Sequence, residues 1–274
     1  MGLRVNSNIA SLNAQRSLSN TTERLQANYR RLSTGLRIST ASDDAAGLAI
    51  SERFRAQIRS TNQAVRNAQD GISLTQTGEG ALNEVSAILI RMRELSTQAA
   101  NGTVSSADRT TLNQEFVDLI NEIDRIAQST SFNGTSLLNA TTTVSFQVGI
   151  GTAASDTVSV VFGGFSATTL GVGSNTVTTQ ANATTAITAL DTAIGTVSAD
   201  RAKFGAAMNR FQTTISNIQS MKTNLSAANS RIKDVDVAEE TASMARSQVL
   251  SQAGAAVLAQ ANQSPQLALG LLRG

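Results

Sequence analysis

The most persistent pattern in the chain is a 3-4 spacing of apolar positions in its last third. From Ile187 it runs through Leu190, Ile194, Val197, Arg201, Phe204, Met208, Phe211, Ile215, Ile218, Lys222, Leu225, Asn229 and Ile232 without a break in phase. A 3.5-residue repeat sustained this far specifies a long helix in a coiled-coil seam. At 1.5 Å per residue the stretch is about 70 Å long, which favours a rod over a helix in a globular bundle. Arg201, Lys222 and Asn229 interrupt the stripe, and polar seam residues cost stability while fixing register.

The N-terminal half offers partners for that helix. Phe54, Ile58, Thr61, Val65, Ala68 and Ile72 keep the 3-4 spacing, and Leu82, Val85, Leu89 and Met92 continue it. Gly71, Gly78 and Gly80 weaken a helix here without ending it. Asn101-Gly102 predicts a turn. Ser105 with Asp108 resembles a capping box, Asp standing where Glu is usual, and opens a helix carrying Leu112, Phe116, Leu119, Ile123 and Ile126. That helix should fold back antiparallel on the one before it. Asn133-Gly134 marks another turn.

From Thr141 the period changes to two. Thr142–Val148 and Thr157–Phe162 are alternating and β-branched, with Gly149-Ile150-Gly151 between them, and predict a β-hairpin at about 141–163. Gly163, Gly164, Gly171 and Gly173 mark loops, and the helical pattern returns by about Ala183. Gly149-x-Gly151 and Gly171-x-Gly173 lack the strand–GxGxxG–helix setting of a nucleotide-binding loop, so hairpin turns are the better reading.

The two ends have a third texture. Val5, Ile9 and Leu12 begin a stripe that slips phase and resumes as Leu18, Thr22, Leu25, Tyr29 and Leu32, ending near Gly35. Ala238–Asn262 is rich in Ala, Gln and Ser, with Val249, Ala253 and Ala256 at 4-3 spacing. Pro265 should break or kink it before the apolar run from Leu267 to Leu272. Terminal helices this poor in bulky side chains are marginal alone and need a partner. The fold class predicted is mainly α: long coiled-coil helices from both chain ends packed as a rod, with a small β-hairpin inserted between the N- and C-terminal helical parts.

Composition narrows the function. The 274 residues contain no His, Cys or Trp, one Tyr and one Pro, with 3% aromatic and 15% charged residues. Imidazole acid–base chemistry, thiolate nucleophiles and ordinary zinc sites are excluded. We expect no catalytic, cofactor-binding or metal site, and no enzyme. The net charge of +2 is too weak, and the aromatics too few, for a nucleic-acid binder. Charge is unevenly placed, however. Arg4, Arg16, Arg24, Arg30, Arg31 and Arg37 face only Glu23 in residues 1–42, while Asp234, Asp236, Glu239 and Glu240 outnumber Arg246 and Arg273 at the other end. Opposite charge suggests that the ends meet. The first residues lack the apolar core of a cleaved secretory signal, and no run approaches 18 apolar residues, so membrane insertion is not expected. Asp43-Asp44 is a carboxylate pair, but adjacent helix residues do not face each other. Capping of a helix from Ala45 explains it better.

Several of these residues together resemble bacterial flagellin. At the N-terminus they are Ile9-x-x-Leu12-Asn13, Leu32-Ser33-Thr34-Gly35-Leu36-Arg37-Ile38 and Asp43-Asp44-Ala45-Ala46-Gly47-Leu48-Ala49-Ile50. Arg93-Glu94-Leu95, Asn121-Glu122-Ile123-Asp124-Arg125 and Phe132-Asn133-Gly134 continue the match. Towards the C-terminus follow Arg201-Ala202, Gly205-Ala206, Asn209-Arg210, Ser230-Arg231-Ile232-x-Asp234-x-Asp236 and Leu258-Ala259-Gln260-Ala261-Asn262-Gln263-x-Pro265-Gln266, then Leu271-Leu272.

The resemblance implies a helical homopolymer, the hollow filament of the flagellum, with the subunit exported unfolded through a type III channel to the outside of the cell. It implies a terminal coiled coil, D0, from residues 1–43 and 233–274. A D1 layer would span 44–232, and the outer domains D2 and D3 would be absent. The D0 residues expected to pack during assembly are Ile9, Leu12, Leu18, Leu25, Leu32, Val249, Val257, Leu267 and Leu271. Beyond the chain itself, the implied partners are a flagellar export chaperone, the filament cap and hook-associated proteins. Arg91, Leu95 and Glu115 match the family's surface patch for the vertebrate Toll-like receptor 5, although Ile90 stands where a polar residue is expected. Competing readings are a hook–filament junction protein, which shares the helical ends, and a cytosolic coiled-coil scaffold. A flagellin with a metalloprotease insert is excluded, because without His there is no H-E-x-x-H.

Overall fold

A computed structural model describes the backbone of residues 7–273 and the side chains of residues 7–263. Its organising feature is a run of small residues on one face of a long helix. Helix α1 is Ile9–Thr34, α2 is Ala45–Ala99 and α3 is Ser106–Ser129. In the middle of α2 the inward face reads Thr61, Ala64, Ala68, Gly71, Thr75 and Gly78 before it turns to Leu82, Val85, Leu89 and Met92. The buried positions keep one 3-4 phase throughout, so the glycines do not end the helix. They make room for aromatic rings.

The β segment follows α3. Strands β1 (Ser131–Phe132) and β2 (Thr135–Ser136) form a small hairpin across Asn133-Gly134, both with positive φ (48° and 78°). That is the left-handed pair of a two-residue type I′ turn. Strands β3 (Thr142–Gln147) and β4 (Thr157–Phe162) pair antiparallel in the register Thr142↔Phe162 to Gln147↔Thr157. The hairpin therefore lies where the alternation placed it. Along β4, Val158, Val160 and Phe162 point inward and Val161 outward. Helix α4 (Gln180–Lys233) returns antiparallel to α2, and α5 (Val237–Arg273) ends the described chain. Pro265 does not end α5: the helix is assigned continuously through it.

The chain divides into two compact units, residues 58–223 and residues 1–57 with 224–274. The first has a conventional core. Phe116, Phe162, Phe165, Phe204 and Phe211 are fully buried there, each worth roughly 1.5–3 kcal/mol of apolar transfer. The seam residues Leu190, Val197, Phe204, Phe211 and Ile215 of α4 are buried in this core, joined by Ala183, Ala186, Ala193 and Ala207, which the apolar pattern alone did not include. Arg201 interrupts the stripe with a purpose: its guanidinium donates to Glu79 Oε1 at 2.8 Å across to α2.

The 17 residues between β4 and α4 contain no further domain, in keeping with a short form of the fold. Nor are they a free loop, as the glycines suggested. Phe165, Ala167, Leu170, Val172 and Val177 are buried in the core. The Ala167 N–H donates to Asp124 Oδ1 (2.8 Å) and the Val177 N–H to Asn113 Oδ1 (2.9 Å), both on α3. Gly171-x-Gly173 is correspondingly not a hairpin turn. No strand flanks it, and the N–H groups of Val172 and Gly173 both close on the Ala167 carbonyl, ending a helical turn.

Candidate assembly surface

In the unit of residues 1–57 and 224–274 the two chain ends pair antiparallel. Asn8 caps α1 by accepting from the Ser11 N–H, and Gly35 ends it with φ 69°. The Asn8 side chain also donates to the Ala261 carbonyl (2.7 Å), and Ser11 Oγ to Asn262 (2.6 Å). At the other end Arg37 N–H donates to the Lys233 carbonyl and Val235 N–H to the Gly35 carbonyl. The Arg37 guanidinium donates to the Ile232 carbonyl at 2.8 Å, a cation placed on the C-terminus of α4. The ends thus meet, as their opposite charge suggested. Among the described residues, Arg31–Glu240 (3.7 Å) alone joins α1 to α5 as an ion pair, so charge selects the pairing more than it supports it.

The seam between α1 and α5 is narrow and polar. Its α1 face is Ala14, Leu18, Thr21, Leu25, Asn28 and Leu32; its α5 face is Glu240, Met244, Ser247, Ser251, Gly254 and Leu258. Leu18 fits against Gly254, where an added Cβ would meet Leu18 Cδ1 at 3.4 Å. Asn28 is buried in the middle. With its amide oriented to suit its neighbours, Nδ2 donates to Glu240 Oε1 at 2.8 Å and Oδ1 accepts from Met244 N–H at 3.2 Å. A buried Asn in a helix–helix seam is a register-fixing device.

The assembly residues read from the sequence therefore sort into two groups. Leu18, Leu25 and Leu32 are half-buried in the intrachain seam. Ile9 and Leu12 are 58% and 61% exposed, and Val249 and Val257 are 65% and 59% exposed. The 4-3 row of Val249, Ala253 and Ala256 is thus the outward face of α5, not its contact with α1. The inward face is Ser, Gly and Leu, which a hydrophobic count passes over. The side chains of Leu267 and Leu271 lie outside the described residues, as does Val5. Exposed Val237 and Leu250 belong with the outward group and were missed, their signal being apolar character out of phase with the seam; Tyr29, expected in the α1 stripe, is 50% exposed and the seam position is Asn28.

The linker between α1 and α2 shows why two aspartates stand together. Asp44 is the cap, its Oδ1 accepting from the Gly47 N–H at 2.9 Å. Asp43 folds the linker: its Oδ2 accepts from the N–H and hydroxyl of both Thr40 and Ser39. Those donors, the Thr40 N–H foremost, hold the Asp43 carboxyl well below the usual carboxylate range. No group of acidic residues among the described ones is arranged to hold a metal ion.

The second candidate patch lies on α2 and α3. Arg91 donates to Glu115 on α3 at 2.9 Å and to Glu94 at 3.0 Å, and both, Glu115 first, raise its pKa. Ile90 beside it is half exposed. Leu95 does not share this surface. It is 1% exposed and belongs to the core, because it continues the inward stripe of Leu89 and Met92.

Comparison with known proteins gives this architecture a family. The model of the bacterial flagellin N-terminal helical region matches residues 5–143, and that of the C-terminal helical region matches residues 187–272. A flagellin of Halalkalibacterium halodurans is 46% identical over 270 residues, covering 98% of this chain and 99% of its own. The flagellar filament 33 kDa core protein of Treponema phagedenis is 42% identical, again over 98% and 99%. The crystal structure of Bacillus cereus flagellin, 40% identical, superposes with a TM-score of 0.50 over 60% of this chain and 94% of that one. Both terminal family models match, and a relative 46% identical covers nearly the whole chain, so this chain belongs to the bacterial flagellin family.

Proposed function

We propose that the chain is the structural subunit of a flagellar filament, polymerising with copies of itself into a hollow helical tube outside the cell. One observation carries this reading. Among the described residues, the unit holding the chain ends buries a single large apolar side chain, Ile38, and exposes seven: Ile9, Leu12, Tyr29, Val237, Val249, Leu250 and Val257. Such a unit gains too little from burial to offset its ordering entropy alone. Its outward stripes match what a neighbouring copy would cover, so ordering of the ends is coupled to assembly.

In this reading residues 1–43 and 233–274 form the D0 layer and residues 44–232 the D1 layer, with no outer layer. The filament is mechanical and does no chemistry. A chain without cysteine crosses an export channel with nothing to cross-link on the way. An export chaperone, the filament cap and hook-associated proteins are its further partners. A vertebrate Toll-like receptor 5 would meet the free subunit at Arg91 and Glu115, with Leu95 supporting the patch from the core. Purified subunit seeded with filament fragments and followed by electron microscopy tests the reading. Long tubes growing from the seeds support it; no growth, or solid rods, rejects it.

A further inference from the structure

We propose that Asn101 is a site of spontaneous self-modification, in which its side-chain amide is lost and an aspartyl or isoaspartyl residue replaces it. The chain contains two Asn-Gly pairs in exposed turns, Asn101-Gly102 and Asn133-Gly134. In each, the nitrogen of the following glycine has no Cβ beside it to hinder approach. The fold treats the two pairs differently.

Asn101 stands in the turn between α2 and α3. Its Oδ1 accepts from the Thr103 N–H at 3.2 Å. That bond bends the side chain over the backbone of Gly102 and places a donor on the oxygen that gains negative charge when the amide carbon is attacked. The Gly102 N–H donates to no described acceptor, and a Cβ built on Gly102 meets nothing within 4 Å. The surrounding backbone is held by Arg109, whose guanidinium donates to the carbonyls of Ala99 (2.7 Å) and Asn101 (2.9 Å). Asn133, by contrast, sits at φ 48° inside a hairpin paired on both sides, Phe132 with Thr135 and Ser131 with Ser136. No described hydrogen bond polarises its side chain. Turning its backbone to bring the Gly134 nitrogen onto the amide carbon breaks the hairpin.

The reaction needs only water. The deprotonated Gly102 nitrogen attacks Asn101 Cγ, a new N–Cγ bond forms, and the side-chain nitrogen leaves as ammonia. The resulting cyclic imide is opened by water at either carbonyl, giving aspartate or isoaspartate. Either product adds a carboxylate to the recess that Asn101 lines with Ile90, Arg93, Glu94, Thr97 and Gln98. In the isoaspartyl product the main chain runs through Cγ, one methylene longer, and the former Asn101 carbonyl, to which Arg109 donates, becomes the free carboxylate.

The test is incubation of the full chain at mildly alkaline pH, followed by peptide mapping of amide loss and isoaspartate at both sites. Asn101 should convert about tenfold faster than Asn133, and Gly102→Ala should slow it by about the same factor. In strong denaturant the two pairs should converge. Equal rates in the folded chain, faster conversion at Asn133, or no conversion at Asn101 would each overturn the proposal. So would a preference for Asn101 that persists undiminished in denaturant, because its cause would then lie in the sequence and not in the fold.

Discussion

The ring of Phe211 on α4 lies against the backbone of Gly71 on α2, so close that a Cβ at residue 71 would stand 2.6 Å from Phe211 Cζ. Seven residues on, Gly78 receives the edge of Phe162 from the hairpin, with Phe204 behind it (2.9 and 3.5 Å). Phe146 meets Phe211 edge-on at 5.4 Å, and Phe162 lies tilted by 47° against Phe204 at 5.0 Å. Two notches one heptad apart thus lock α2, α4 and the hairpin in one register. Gly71→Ala gains about 1 kcal/mol of helix propensity but forces Phe211 to move, at about 1–3 kcal/mol. We expect net destabilisation of up to about 2 kcal/mol, read from the midpoint of denaturant unfolding. Gly80→Ala is the control: it meets nothing within 4 Å and should stabilise by up to about 1 kcal/mol.

Asp44 and Asp43 separate by experiment. Asp44→Ala removes the acceptor for the Gly47 N–H and should cost about 1 kcal/mol. Asp43 behaves as a pH probe. Its folded pKa is lowered by the N–H groups and hydroxyls of Thr40 and Ser39, so its contribution is full above the unfolded value of about 3.9 and is lost as pH falls below it. The linker of residues 39–44 should therefore stay ordered well into acid, and Asp43→Asn should loosen it at neutral pH. Amide chemical shifts of Ser39 and Thr40 across an acid titration read this out; movement already complete above pH 4 contradicts it.

Leu18 and Leu12 lie on the same helix and should fail differently. Leu18→Ala opens the seam against Gly254 and should weaken α1–α5 pairing as well as growth. Leu12→Ser changes only the outward face; it should leave the unfolding of residues 58–223 unaltered and slow seeded growth by about tenfold or more. Equal growth rates for wild type and Leu12→Ser would remove the outward stripe from the assembly account.

Much of the fold was legible in the sequence, because a sustained period is a strong signal. The seam from Ile187 to Ile232, the hairpin at 142–162 and the return of the ends to each other all lie where pattern and charge put them. What escaped reading shares a physical cause: burial by small or isolated residues. The α2 face of Thr61, Ala64, Gly71 and Gly78 carries no hydrophobic signal, since its partners supply the bulk. The α5 face towards α1 includes Ser247, Ser251 and Gly254, so an apolar count shows only the outward Val249 row and misses the seam itself. Phe165, Leu170 and Val177 are core residues in a glycine-rich stretch without period. Leu95 joined Arg91 and Glu115 only through the family resemblance, although its spacing from Met92 places it inside.

The patch at Arg91 gives a separate expectation. Arg91→Ala frees Glu115 and Glu94, but exposed pairs are worth little, about 0–1 kcal/mol, so subunit stability should hardly change. If the receptor contacts this patch, the variant should activate receptor-bearing cells about tenfold less at equal dose. Unchanged activation by a folded Arg91→Ala subunit would exclude Arg91 as a contact.

The central claim is that the chain ends are completed by neighbouring copies. Hydrogen exchange on the free subunit and on the filament measures this directly, segment by segment. Residues 9–34 and 237–263 should exchange rapidly in the subunit and gain strong protection in the filament. Residues 82–99 and 183–218 should be protected in both. Equal protection of the two ends in the free subunit and in the filament would contradict the account.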